Sequence, residues 1–73
     1  DDIEYKELED VVKKTMEKMP ERRRKIFNMH RFENLKYMEI AEILSLSVKT
    51  IEAEMGKALK TLRKEIDYHT SKY

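Results

Sequence analysis

The sequence predicts an all-α fold: a four-helix domain that contains a helix-turn-helix. The chain of 73 residues has one glycine, one proline and a charged fraction of 42%, which favours amphipathic helices joined by short turns. Its apolar residues also recur every three to four positions, which is the helical period. A chain of this length forms one domain, residues 1–73. It buries only about 60% of the surface that it exposes when unfolded, so we expect a small core.

The first helix is expected over residues 3–18, with Asp2 as its N-cap. Pro20 ends it, because the residue before a proline is pushed out of helical geometry. The same proline suits the first turn of the next helix, where its missing N–H costs nothing. The residues predicted to face inward are Tyr5, Leu8, Val12, Thr15 or Met16, and Met19.

The second helix is expected over residues 20–32, and Asn34 suits the left-handed conformation that closes it. Its predicted buried residues are Ile26, Met29 and parts of Phe27 and Phe32. The third helix is short, residues 37–44. Its predicted inward residues are Tyr37, Ile40, Ala41 and Leu44.

Residues 45–47 form a turn before the fourth helix, and Ser47 is a good N-cap because its hydroxyl can accept from an orphan backbone N–H. The fourth helix is expected over residues 48–66, with residues 69–73 as a frayed tail. Its predicted apolar stripe consists of Val48, Ile51, Met55, Ala58 or Leu59, Leu62 and Ile66. A short helix, a tight turn and a longer helix make a helix-turn-helix, about residues 37–66.

The side of the fourth helix opposite this stripe is basic, small or neutral. We call it the lysine face, and it comprises Lys49, Thr50, Ala53, Lys57, Lys60 and Lys64. In a helix-turn-helix, the second helix lies in the major groove and presents side chains from its N-terminal half to base edges. The lysine face is therefore the predicted DNA surface. The alternative is a helix side that is only solvated.

The net charge of +1 is small for a nucleic-acid-binding chain, but the charge is unevenly distributed. Residues 1–19 carry a net charge of −3, residues 20–36 carry +4, and residues 37–73 balance. Any electrostatic attraction to DNA must therefore come from one local surface. The basic run over residues 22–25 fans around a helix, so only part of it can contact a single partner.

Three residues border the lysine face. Glu52 is a candidate base reader, because a glutamate can accept from the N4 amino group of cytosine. Glu54 is expected to pair with a lysine on the flank. Gly56 either permits close approach of a DNA backbone or a neighbouring helix, or has no role; a glycine inside a helix costs about 1 kcal/mol relative to alanine.

Phosphate contacts are predicted at the start of the third helix and along the fourth. Helix N-termini favour anions, and basic or hydroxyl side chains there can bind phosphate oxygens. The predicted residues are Arg31, Lys36, the hydroxyl of Tyr37, Ser47 and Lys60.

Several functions are not expected from this composition. The chain has no cysteine, and His30 and His69 lie far apart in sequence, so we expect neither a disulfide nor a metal or other cofactor. No apolar run approaches the roughly 18 residues of a membrane span, which favours a cytoplasmic location. No nucleophile with a base, paired carboxylates or glycine-rich loop suggests an enzyme or a small-molecule substrate. The first residue is Asp1, so we expect the C-terminal fragment of a longer protein.

Four segments resemble region 4 of sigma-70 family RNA polymerase sigma factors. Met19-Pro20 followed by Arg22, Arg24, Ile26 and Phe27 is similar to that region's leucine-proline, arginine, valine-phenylalanine segment. Residues 34–41 look like its glycine-leucine-serine-tyrosine-x-glutamate-isoleucine-alanine motif, and residues 47–52 and 57–63 look like its recognition helix and tail. The resemblance covers roughly residues 8–65 in the correct order and is greatest to the extracytoplasmic-function (ECF) group.

The resemblance implies a domain that binds the −35 promoter element while docked on the beta flap of RNA polymerase, with an anti-sigma factor as a further partner. The base-reading positions of the family fall on Lys49, Thr50, Glu52, Ala53 and Lys57. The chain departs from the family pattern at three positions. Lys36 replaces the usual serine or threonine cap, Ser45 replaces a glycine of the turn, and Glu52 stands where several ECF members have arginine.

Two alternatives remain at this point. The first is a helix-turn-helix effector domain of a response regulator-type activator, which shares the stretches around Glu39-Ile40-Ala41 and Ser47-Val48-Lys49-Thr50. The Met19-Pro20 segment and the tail over residues 57–63 favour the sigma factor instead. The second alternative is a protein-binding helical module whose lysine face is only solvated.

Overall fold

The computed structural model describes the backbone of residues 2–71 and the side chains of residues 6–71. Four helices follow one another within that range: α1 (Asp2–Lys18), α2 (Glu21–Arg31), α3 (Tyr37–Leu44) and α4 (Val48–Thr70). The predicted all-α fold with a helix-turn-helix is confirmed. No helix among the described residues combines the length and the apolar character that crossing a membrane requires.

Helix α1 presents the predicted inward face. Met16 and Met19 are buried. Thr15 is buried as well, and its hydroxyl is satisfied because it donates to the Val11 carbonyl at 2.7 Å. The helix ends with the Met19 N–H bonded to the Met16 carbonyl, directly before the proline, as expected. The predicted cap at Asp2 and the side chain of Tyr5 lie outside the described side chains.

Helix α2 begins one residue after Pro20, whose carbonyl accepts from the Arg24 N–H at 3.0 Å. Ile26, Phe27 and Met29 are buried as predicted. The prediction that Phe32 is partly buried is wrong, because its side chain is 74% exposed. Phe32 lies at the C-cap, and it is Leu35, after the turn, that packs against the core.

The two turns differ in how the sequence encodes them. Asn34 adopts φ 55°, the left-handed conformation predicted for it. Ser45 adopts the same φ of 55° at the C-cap of α3, where glycine would be free of steric cost. The turn is closed by the Leu46 N–H, which donates to the Ala41 carbonyl at 2.9 Å. Ser47 then caps α4 as predicted, accepting from the Thr50 N–H at 3.0 Å.

Helix α4 is longer than predicted. It continues to Thr70, so the expected frayed tail is wrong for residues 69 and 70, and the part of that tail over residues 72–73 lies outside the described residues. The added turn has a partner on α1, because His69 Nε2 lies 3.7 Å from Glu7 Oε2. Ile66, just before it, is half-buried. The helix-turn-helix therefore ends beyond the predicted residue 66.

The core forms where all four helices meet. Ile26, Ile40 and Ile51 are fully buried, one from each of α2, α3 and α4, and α4 contacts all three other helices. The sequence predicted either Ala58 or Leu59 in the apolar stripe of α4. Ala58 is buried and Leu59 is exposed. The prediction for Val48 is wrong, because the first residue of α4 lies at the rim of the core and is exposed. This packing fixes α4 along one side and leaves the other side open.

Candidate nucleic-acid interface

The open side of α4 is the lysine face. Its lysines and Ala53 are exposed, and Thr50 is half-buried. No ion pair of the described residues includes any of these lysines. The face therefore presents lysines that form no ion pair with a described carboxylate, and exposed unpaired positive charge is what attracts the phosphates of DNA.

The N-terminus of α4 is held by two linked hydroxyls. Ser47 Oγ accepts from the Thr50 N–H at 3.0 Å and lies 2.9 Å from Thr50 Oγ1, so one hydroxyl donates to the other. A hydroxyl carries one proton, so this bond leaves one hydroxyl proton of the pair for an outside acceptor. The predicted reader Thr50 and the predicted phosphate-binding residue Ser47 therefore lie side by side at one helix end.

At the start of α3, the capping hydrogen bond comes from a side chain within the helix and not from the side chain at the cap position. Lys36 occupies the cap position, and its backbone N–H donates to Glu39 Oε1 at 2.8 Å. Glu39 thus supplies the capping hydrogen bond, and the exposed Lys36 side chain stays available to an anion.

Tyr37 follows directly and is half-buried. Its ring makes an edge contact with His30 at a centroid distance of 5.0 Å, and His30 Nδ1 donates to the Leu35 carbonyl at 2.9 Å. Packing therefore orients the Tyr37 ring. Arg31, at the last turn of α2, is exposed.

Glu54 lies in an environment that the sequence did not reveal. Its side chain is only 7% exposed and is held between two arginines of α2. Arg22 Nε donates to Oε2 at 3.1 Å, and Arg23 Nε donates to Oε1 at 3.3 Å. The predicted pairing of Glu54 with a lysine is wrong, because residue 54 faces α2 rather than the lysines. We call these three residues the Glu54 clamp.

The clamp keeps the Glu54 carboxyl ionised. Burial raises the pKa of this group, but hydrogen bonds and charges from Arg22 and then Arg23 outweigh the burial. The pKa of Glu54 therefore lies below its ordinary value of 4.5. A sequence signal for this site existed: helical periodicity places residue 54 only 60° from Ile51 at about 100° per residue, on the border of the buried stripe.

Glu52 and Gly56 lie on the open side. Glu52 is exposed, and its side chain makes no hydrogen bond or ion pair with the described residues. Gly56 is exposed too, and a β-carbon added there would meet no atom within 4 Å. Of the two close approaches that the sequence suggested for Gly56, that of a neighbouring helix does not occur among the described residues.

A short helix, a tight capped turn and a long helix with an exposed basic face define the chain as a helix-turn-helix domain. Residues 9–62 match the family model of sigma-70, region 4. Because this match spans more than half of the chain, the chain belongs to the sigma-70 region 4 family. It is a DNA-binding helix-turn-helix of transcription initiation, and the partners of the family in general are promoter DNA and RNA polymerase.

A comparison with curated proteins gives no match. Neither the response-regulator alternative nor the protein-binding module accounts for the family match. The resemblance stated for residues 8–65 agrees with the matched span to within three residues at either end.

Proposed function

We propose that this chain is the −35 recognition domain of an ECF-group sigma factor, acting while docked on the beta flap of RNA polymerase. The observation that carries the proposal is the lysine face: unneutralised positive charge on the second helix of a helix-turn-helix. In this fold class the second helix lies in the major groove. The net charge of only +1 indicates a domain that relies on the polymerase to hold it at the promoter.

Each predicted residue has a role in this arrangement. Base edges are read from the N-terminal half of α4 by Lys49, Thr50, Glu52, Ala53 and Lys57. Phosphates are bound on either side of the groove by Arg31, Lys36, Tyr37, Ser47 and Lys60. Arg31, Lys36 and Lys60 supply charge, whereas the hydroxyls of Tyr37 and Ser47 supply hydrogen bonds at helix starts. The domain positions DNA, acts in the cytoplasm and performs no catalysis of its own.

The ECF assignment has its own test. In that group we expect a second helical domain, which melts the −10 element, to be encoded ahead of Asp1, and an anti-sigma factor to regulate the protein. A phosphate-receiver domain in that position contradicts the assignment.

Substitution of two lysines tests the DNA surface. We expect Lys49→Ala and Lys57→Ala each to weaken binding to duplex DNA about tenfold, because each removes a charge-assisted contact at the groove. The measurement is fluorescence anisotropy at low salt with the 73-residue chain.

The matched control is Lys13→Ala, which removes the same charge from an exposed position on the acidic helix α1. Affinity should stay at the wild-type value for this variant. Equal affinities for all three variants contradict the assignment of the DNA face to α4.

A further inference from the structure

The Glu54 clamp joins α4 to α2 inside the segment that carries the base-reading residues. Glu54 follows Thr50 by one helical turn and precedes Lys57 by one turn, but it lies on the side of α4 that faces α2. Its arginine partners are 32 and 31 residues away in the sequence. The clamp is therefore a tertiary contact, and none of its members belongs to the proposed DNA-contacting set.

The clamp constrains α4 in a way that the core does not. Burial of Ile51 and Met55 holds α4 against the other helices, but apolar burial is non-directional. Hydrogen bonds are directional: they prefer angles above about 150° at the hydrogen and weaken steeply below about 120°. Glu54 uses both carboxylate oxygens, each with a different arginine, so the carboxylate is fixed at two points. Two directional bonds on one side of a helix oppose its rotation about its own axis.

Small rotations matter for base reading. Side chains reach about 5–6 Å from the helix axis, so a rotation of about 10° moves their ends by about 1 Å. A hydrogen bond to a base edge tolerates a spread of only about 0.5 Å in length. Binding sites accordingly lose function when their supporting contacts allow displacements of about 1 Å.

We infer that Glu54, held by Arg22 and Arg23, is a positioning residue that sets the rotation of α4 and thereby the discrimination between DNA sequences. The inference rests on the proposed function of α4 as the recognition helix. Because two guanidinium groups flank the carboxylate, its negative charge on the DNA-binding helix is compensated. The clamp therefore affects discrimination between DNA sequences more than it affects overall attraction to DNA.

The test compares two duplexes. A preferred duplex is selected from a random pool with the wild-type 73-residue chain, and its sequence is scrambled to give the second duplex. We expect Glu54→Gln to lower affinity for the selected duplex about tenfold. Affinity for the scrambled duplex should stay level or rise, because the variant loses one negative charge.

Glu65→Gln makes the same charge change at an exposed position on α4 and should leave the ratio of the two affinities at the wild-type value. Glu54→Asp keeps the charge but shortens the reach by one methylene, so we expect an intermediate ratio. All titrations are run at a temperature at which circular dichroism shows each variant folded. If Glu54→Gln does not fold, Arg23→Lys replaces it, since lysine keeps the charge without the Nε donor.

The outcomes separate the two proposals. A wild-type chain that selects no sequence at low salt overturns sequence reading by α4, and the role of Glu54 falls with it. A wild-type chain that selects a sequence, with variants that lose affinity for both duplexes by the same factor, overturns the positioning role alone. That second result is what a purely structural contribution of Glu54 produces.

Discussion

Two glutamates that are two positions apart on α4 have opposite environments. Residues two apart on a helix point in directions that differ by about 200°, so one faces solvent when the other faces the core. Glu52 is exposed at the lysine face, and Glu54 is buried against α2. The Glu52 side chain is therefore accessible to DNA, whereas the Glu54 side chain is packed against α2. Their chemistry is identical, and only their direction assigns the roles.

Glu52 is expected to influence sequence preference more than affinity. Glu52→Ala removes an acceptor for the cytosine amino group and one negative charge, so the preferred DNA sequence should change while binding to a scrambled duplex stays level or rises slightly. Parallel selections with the wild type and the variant measure the preference. An unchanged preference contradicts the reader role of Glu52.

Among the elements, α4 contains a glycine that lowers the stability of the helix relative to alanine. Gly56 lies within a helix of 23 residues, is exposed, and has open space where a β-carbon would lie. Glycine loses more backbone freedom on folding than any other residue. Nothing within the described residues requires a glycine here, so the structure still permits two explanations: close approach of DNA, or no role for the glycine.

Gly56→Ala is expected to raise the free energy of unfolding by about 1 kcal/mol, which is the difference in helix propensity between the two residues. Urea unfolding followed by circular dichroism measures the change. Thr61→Ala, at another exposed position of α4, is the matched control and should give a smaller gain. Lower affinity of the more stable Gly56→Ala chain for DNA then indicates that the DNA backbone approaches at residue 56. A midpoint below the wild-type value contradicts the helix-propensity argument.

For the whole molecule, the Glu54 clamp links folding to pH. The pKa of Glu54 is lower in the folded chain than its ordinary value of 4.5, so the folded state binds this proton less readily than the unfolded state does. Its contribution to stability is therefore complete above the unfolded pKa. It is lost as pH falls through the lower, folded pKa.

We expect the free energy of unfolding of the wild type to fall more steeply between about pH 5.5 and about pH 3.5, one unit on either side of the ordinary pKa, than that of Glu54→Gln, which has no carboxyl at residue 54 to titrate. Urea unfolding at a series of pH values measures both slopes. Glu65→Gln, which makes the same charge change at an exposed position on α4, is the matched control. Equal slopes for the wild type and Glu54→Gln mean that the clamp does not stabilise the fold.

Much of the fold was predictable because it depends on local pattern. The helical period located Ile26, Ile40 and Ile51 in the core, and the short polar segments around Asn34 and Ser47 marked the turn and the cap. The starts of these helices depend on a few adjacent residues, and so does the side of α4 that carries the lysines. A single sequence contains that information.

The sequence by itself therefore determined four helices, a helix-turn-helix and a basic face on the last helix. Only the tertiary structure decided that Glu54 is buried between Arg22 and Arg23, that Phe32 is exposed, and that α4 continues along α1 to Thr70. The burial of Glu54 and the length of α4 depend on contacts with other helices, and the exposure of Phe32 goes with the packing of Leu35 against the core. Helical periodicity does not relate the residues that make these contacts. Periodicity gives the direction of a side chain on its own helix, whereas packing decides what lies in that direction.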